Sequence, residues 1–143
     1  MDNCSTEMEI SSGKLEVFNK PTVLIVAIDK KILETYSCLF DPEKFQVLLA
    51  YDADDAMEQI RGRKISLLLT EFMLGTKSSV ELFTLVKKSN PGVPVVVMTE
   101  YPELISERDI RMFGGDHLLS KPLVTSNLHR IITGYFNPLH EVI

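Results

Sequence analysis

The sequence has few cysteines and no long apolar run, and each scarcity excludes a class of protein. Its two cysteines, Cys4 and Cys38, are too few for a disulfide framework, so both are expected to be free thiols in a reducing cytoplasm. No apolar run approaches the ~20 residues that a membrane-spanning helix requires. The polar residues 1–20 contain no apolar segment before a small-residue cleavage site, so we expect no secretory signal. These absences favour a cytoplasmic protein without membrane contact.

Basic residues are scarce as well, and the formal net charge is −5. They gather at Arg61, Arg63 and Lys64 and at Lys87 with Lys88. Both clusters fall near the ends of predicted helices, where cations complement the helix dipole. Nucleic-acid binding usually needs a basic face. The sequence therefore predicts no direct contact with nucleic acid.

Motifs for metal binding and for nucleophilic catalysis are missing too. His117, His129 and His140 lack metal-ligand spacing with one another or with either cysteine. No serine, cysteine or histidine lies in a recognisable nucleophile motif. The first apolar run turns into its helix through A-I-D-K-K, which has no phosphate-binding glycines. We therefore expect a protein that is not an enzyme and holds no metal.

What the sequence does contain is a regular alternation of two kinds of segment. Nearly continuous apolar runs, typical of strands buried on both faces, occupy Thr22–Ile28, Phe45–Ala50, Ile65–Thr70, Pro94–Thr99 and His117–Ser120. Stretches with helical spacing of apolar residues follow at Ile32–Phe40, Ala53–Ile60, Leu82–Val86, Glu103–Phe113 and Val124–Tyr135. Strands that alternate with crossover helices form an open parallel sheet with helices on both faces. We predict one such α/β domain over residues 21–137, with tails at 1–20 and 138–143.

Ligands of open parallel sheets bind beyond the carboxyl ends of the strands. The residues at those ends are Ala27, Ile28 and Asp29, then Glu71, Thr99 and Lys121. Three segments there, T-E-F-M-L-G, V-V-V-M-T and G-G-D-H-L-L-S-K-P-L, resemble the receiver domain of two-component response regulators in order and spacing. The resemblance covers roughly residues 21–135 and is most specific at the Lys-Pro pair.

The resemblance implies a flavodoxin-like doubly wound sheet of five strands in the order 2-1-3-4-5. It also implies phosphoryl transfer from a histidine kinase to an aspartate, with magnesium held by that aspartate and an acidic pair. In this chain Glu71 stands at the phosphoacceptor position, and the acidic pair falls on Ala27 and Ile28. Thr99 and Lys121 match the family's hydroxyl and lysine. Leu118 replaces the switch aromatic, Gly75 replaces a loop proline, and Ser78-Ser79 replaces Asp-Gly.

These departures favour a receiver domain that binds partners without being phosphorylated. Magnesium depends on several oxygen ligands, and only Asp29 keeps an acid next to the degenerate pair, so metal binding should be weak or absent. Glu71 is either a built-in mimic of the phosphorylated state or a relic that pairs with Lys121. Its removal should destabilise the domain, whereas removal of the Asp29 carboxylate should have little effect.

Two other functions remain open. The domain is a weakly phosphorylatable receiver that uses Asp29 and Glu71, or it binds a small molecule between Ile28, Glu71 and Thr99. By resemblance, a signalling partner or output domain, or a second copy in a homodimer, would contact the face around Glu103–Phe136. Tyr101 would lie at the rim of that face.

Overall fold

The computed structural model describes residues 20–136, so the predicted tail at 138–143 and all of the predicted tail at 1–20 except Lys20 lie outside this range. Five parallel strands form the main sheet: β1 (Thr22–Val26), β2 (Gln46–Ala50), β3 (Leu67–Glu71), β6 (Val95–Thr99) and β7 (His117–Ser120). They lie side by side in the order β2-β1-β3-β6-β7. Counted along the main sheet, this is the predicted order 2-1-3-4-5, so the predicted fold is confirmed.

Four helices connect these strands, and a fifth follows the last strand: α1 (Lys30–Ser37), α2 (Ala53–Gly62), α3 (Val80–Ser89), α4 (Glu107–Met112) and α5 (Thr125–Phe136). The helices divide between the two faces of the sheet because successive side chains of a strand point to opposite faces. In β1, Leu24 and Val26 belong to the core beneath α2, α3 and α4. Val23 and Ile25 belong to the core beneath α1 and α5. The continuous apolar run of β1 is thereby explained, since both of its faces are buried.

The helices begin where side chains satisfy their free N–H groups. Asp52 accepts a hydrogen bond from the backbone N–H of Asp55 and caps α2. The start of α4 differs from the prediction, which placed it at Glu103. Ser106 and Asp109 form a reciprocal capping box there, so the helix begins at Glu107.

A short hairpin that was not predicted follows β3. Its strands are β4 (Met73–Leu74) and β5 (Lys77–Ser78), which pair antiparallel across Gly75 and Thr76. Gly75 has a φ of +73°, a conformation that side chains with a Cβ rarely adopt. Glycine in place of the family's proline therefore accompanies a tight turn beside Glu71. Among residues 20–136, no helix has the length and apolar character needed to cross a membrane.

Candidate functional site

The carboxyl edge of the sheet brings together Glu71, Thr99 and Lys121, as the sequence predicted. Glu71 is the last residue of β3, Thr99 is the last residue of β6, and Lys121 follows β7. All three line one cavity of about 110 Å³. A parallel sheet places these ends at the same edge, which is why residues 50 positions apart in the chain meet.

The Lys121 ammonium donates a hydrogen bond to Glu71 Oε2. Both side chains are largely buried, with 12% of Lys121 and 15% of Glu71 exposed. Burial alone would lower the pKa of Lys121, but the hydrogen bond and negative charge of Glu71 outweigh it and raise that pKa above its ordinary value. The lysine is therefore held in its charged form by the carboxylate at the phosphoacceptor position.

Two further residues adjoin this pair, and the sequence reasoning did not assign them to the site. Glu100 Oε2 lies 3.6 Å from Lys121 Nζ and belongs to a side chain that is 57% exposed. Glu100 directly follows Thr99 in the chain, so its position after β6 was a usable signal. Tyr36 comes from α1, and burial raises the pKa of its hydroxyl. Lys121 lowers this pKa to a smaller extent, whereas the carboxylates of Glu71 and Glu100 raise it further. No sequence pattern marked Tyr36 as more than a core residue.

Thr99 is buried, and its hydroxyl faces its own loop. The Thr99 Oγ1 atom accepts a hydrogen bond of 2.9 Å from the backbone N–H of Tyr101. Within residues 20–136, no hydrogen bond joins Thr99 to Glu71. The Tyr101 side chain is 54% exposed and lines the cavity that contains Glu71, Thr99 and Lys121.

The positions of the acidic pair carry no side-chain oxygen and are closed by an apolar contact. Ala27 is completely buried, and its backbone N–H donates to Ala50 O. A Cβ atom placed on Gly75 would lie 3.7 Å from Ile28 Cδ1, so the isoleucine lies directly against the loop after Glu71. Ile28 nevertheless remains 46% exposed. The aliphatic side chain of Ile28 therefore lies between the end of β1 and the hairpin.

Asp29 is engaged in local structure. Its Oδ1 atom accepts hydrogen bonds from the backbone N–H groups of Lys31, at 2.8 Å, and Ile32, at 3.4 Å. These bonds cap the first turn of α1, where a carboxylate also complements the helix dipole. The expectation that loss of this carboxylate has little effect conflicts with this geometry, because an N-cap contributes to stability.

The residues present do not fit a magnesium ion. Magnesium takes near-octahedral oxygen ligands, including one or two carboxylates. Here Ala27 and Ile28 provide none, and Glu71 is bonded to Lys121. Among residues 20–136, no group of three or more acidic, histidine or cysteine side chains converges as a metal site.

The loop beyond the hairpin uses two serines where the resemblance leads one to expect Asp-Gly. Ser78 Oγ accepts a hydrogen bond of 3.3 Å from the backbone N–H of Val80 at the start of α3. Ser79 is completely buried, and its hydroxyl has no hydrogen-bond partner among the described residues. Ser79, at the N-cap position of α3, therefore makes no side-chain capping bond, and Ser78 bonds to the first helical N–H instead.

The predicted partner face is assembled from α4, β7 and α5. Glu107 Oε2 accepts a hydrogen bond from the backbone N–H of Leu118, which ties α4 to β7. His117 Nε2 lies 2.9 Å from the Tyr135 hydroxyl, which ties β7 to α5. Leu118 is half-buried against the core beneath α3 and α4. Large apolar side chains exposed within residues 103–136 are Leu104, Met112, Phe113, Val124 and Tyr135.

Comparison with known proteins identifies the family. The model of the response regulator receiver domain matches residues 23–133, so this chain belongs to that family, whose members act in two-component signalling. The chain is 27% identical over 107 residues to the heme response regulator HssR of Staphylococcus saprophyticus, covering 75% of this chain and 47% of that protein. It is 26% identical over 106 residues to the transcriptional regulatory protein DltR of Streptococcus agalactiae, covering 74% and 47%. This chain thus spans about half the length of these relatives.

Solved structures show the same fold. A two-component response regulator from Clostridium difficile superposes with a TM-score of 0.74 at 24% identity, covering 83% of this chain and 98% of that one. The receiver domain of Ssk1 from Saccharomyces cerevisiae, solved with the histidine phosphotransfer protein Ypd1, represents a further neighbour. That match has a TM-score of 0.70 at 20% identity and covers 81% and 88% of the two chains.

Proposed function

We propose that this receiver domain works without phosphorylation, as a protein-interaction module in which Glu71 replaces the phosphoacceptor aspartate. The observation that carries the proposal is the buried contact between Glu71 and Lys121. An attacking carboxylate has to be free, and its charge has to be balanced by metal during phosphoryl transfer. Here the carboxylate is bonded to the lysine, and the surrounding residues supply no metal ligands.

The two residues at the positions that a phosphate switch would move support a domain with a single conformation at this edge. Thr99 is bonded to its own loop, and the position of the switch aromatic is the half-buried Leu118. The carboxylate of Glu71 extends one methylene further than that of an aspartate, toward the lysine. The domain therefore holds one arrangement of this edge, with the Glu71–Lys121 pair in place of a phosphoryl group and its metal.

The partner face that this proposal uses is the surface of α4, β7 and α5. Within it Met112 of α4 is 76% exposed, and in the loops that flank α4, Leu104 is 76% and Phe113 is 47% exposed. Apolar side chains at such exposure contribute to protein–protein contacts when they gather on one surface. We assign this surface to a signalling partner, an output domain or a second copy of the chain. Enzymatic activity and direct contacts with nucleic acid have no part in the proposal.

A small-molecule function receives less support from the site. The cavity that contains Glu71 and Thr99 has a volume of about 110 Å³. Pockets for drug-sized ligands usually occupy roughly 300–1,000 Å³. Ile28 is not among the residues that line this cavity, so the predicted site between Ile28, Glu71 and Thr99 is not one enclosed pocket.

The experiment is an amide NMR titration with magnesium and then with magnesium plus beryllium fluoride, which imitates a phosphoryl group. We expect the amides of Thr99, Lys121 and their neighbours to keep their positions throughout. The matched control is the triple variant Ala27→Asp, Ile28→Asp and Glu71→Asp, which restores three carboxylates and should give saturable shifts. Shifts that saturate in the parent chain would refute the proposal and favour a weakly phosphorylatable receiver.

A further inference from the structure

The opposite edge of the sheet, where the strands begin, contains two basic clefts. The first has a volume of about 600 Å³ and is lined by Arg61, Arg63 and Lys64, which lie where α2 ends and β3 approaches. The second has a volume of about 720 Å³ and shares Arg63 and Lys64 with the first. The two clefts therefore adjoin each other across one basic ridge, Arg63-Lys64.

These cations are exposed, and no acidic side chain within residues 20–136 pairs with them. Within residues 20–136, no ion pair or side-chain hydrogen bond involves Arg61, Arg63 or Lys64, although the chain as a whole is acidic. Complementing the helix dipole explains only Arg61, which lies in the last turn of α2. Arg63 is extended beyond the helix end, with a φ of −147°, and Lys64 follows it toward β3.

The walls of the clefts indicate what kind of anion fits. Buried aliphatic side chains of Ile60, Ile65 and Val86 line the first cleft, and Tyr135 and Phe136 at the end of α5 line the second. Phosphate-rich nucleic acid is bound through many cations, whereas this chain carries a net charge of −5. The exposed basic ridge, with Tyr135 44% exposed at the end of α5, suits a polypeptide segment that carries both carboxylates and apolar side chains.

A segment with this chemistry is attached to the clefts themselves. Lys20, the first described residue, lines the second cleft together with Arg63 and Lys64. The sequence before it, residues 1–19, contains four acidic side chains and one lysine: Asp2, Glu7, Glu9, Glu16 and Lys14. It also contains the apolar residues Ile10, Leu15, Val17 and Phe18. A segment tethered at the edge of its binding site has an effective concentration in the millimolar range.

We propose that the acidic stretch within residues 2–16 of this chain binds the basic clefts around Arg63-Lys64. Its carboxylates contact the basic ridge, and its apolar side chains lie against Tyr135 at the end of α5. The contact is intramolecular, and it covers the surface where α5 ends. Because the cations are exposed, the contact weakens when added salt screens the charges.

A spin label on Cys4 tests this contact in the full-length chain. Cys38 is exposed and would also react, so Cys38→Ser is introduced first. We expect the oxidised label to reduce the amide signals of Gly62, Ile65 and Ser89 relative to the reduced label. Amides near Thr99, at the opposite edge of the sheet, should keep their intensity.

Charge reversal separates the proposed contact from random encounters. Arg63→Glu with Lys64→Glu should abolish the signal loss at the cleft, whereas Lys30→Glu with Lys31→Glu, two exposed cations at the other edge, should not. Adding Glu7→Lys and Glu9→Lys to the reversed ridge should restore the signal loss.

Several results would overturn the proposal. Signal loss spread evenly over the surface, or insensitive to the ridge variants, would exclude binding at the clefts. Signal loss that also appears when labelled chains are mixed with isotope-enriched unlabelled chains would assign the contact to a second copy instead.

Discussion

Removal of the Glu71 carboxylate tests how strongly the buried pair holds the carboxyl edge of the sheet. In Glu71→Ala the Lys121 ammonium, whose side chain is 12% exposed, loses the carboxylate to which it donates. Breaking a buried ion pair by removing one partner costs about 3–5 kcal/mol. Lys121 keeps Glu100 at 3.6 Å, and this exposed carboxylate offsets part of the loss. We therefore expect the free energy of unfolding to fall by about 2–4 kcal/mol.

Urea unfolding followed by far-ultraviolet circular dichroism measures this change, since the chain has no tryptophan to report by fluorescence. A double-mutant cycle with Lys121→Ala isolates the pair from the separate effects of each truncation. The double variant should be less destabilised than the sum of the single variants by about 1–3 kcal/mol. Glu71→Gln, which keeps the size and one acceptor oxygen but removes the charge, should fall between Glu71→Ala and the parent chain.

A coupling free energy within error of zero would refute this reasoning. It would mean that Glu71 and Lys121 contribute independently, and that their contact adds nothing beyond what each side chain contributes alone. A smaller loss for Glu71→Ala than for Glu71→Gln would also contradict it, because the neutral amide retains more of the contact than alanine does.

The remaining predictions concern the N-cap of α1, the contact of Gly115 with Ile110 of α4, and stability at alkaline pH. Asp29→Ala should lower the free energy of unfolding by about 1 kcal/mol, since it removes the cap of α1, and Asp29→Asn should recover most of that loss. Gly115→Ala should cost about 1–3 kcal/mol in urea unfolding, as overpacking does, because the new Cβ would lie 2.5 Å from the buried Ile110 Cγ2. Against burial, which acts the other way, Glu71 raises the pKa of Lys121 above 10.5. The stabilisation that the charged Lys121 gains from Glu71 is fully present below the pKa of the unfolded state and is lost as pH rises through the raised pKa of the folded state. The stability difference between the parent and Lys121→Met should therefore shrink above about pH 10.5. The N-cap would be contradicted if Asp29→Ala were as stable as the parent. The close contact at Gly115 would be contradicted if Gly115→Ala had no effect. The role of Glu71 at alkaline pH would be contradicted if the stability difference between the parent and Lys121→Met did not change with pH.

The sequence by itself determined the strands of the sheet and the residues that lie at its carboxyl edge. Strands that are buried on both faces require continuous apolar runs, so β1, β3 and β6 were visible in the composition of short segments. Crossover connections then place all carboxyl ends at one edge, which brought Glu71, Thr99 and Lys121 together in prediction as in the structure. Strand ends were less exact, because apolar residues such as Ile28 continue the run after the ladder of hydrogen bonds has ended.

Only the tertiary structure decided how individual side chains are used. Asp29 reads as a residual metal ligand from its place in the sequence, yet it caps α1, since the helix begins one residue later. Glu100 lies near Lys121 because β6 and β7 are neighbours in the sheet. No local sequence pattern encodes which strands are neighbours. The same holds for the basic clefts: Arg63 and Lys64 looked like ordinary helix-end cations until the fold set them beside Val86 and the end of α5. Local periodicity records which face a residue buries, whereas the partners of a polar side chain depend on which distant segments the fold brings within hydrogen-bonding reach.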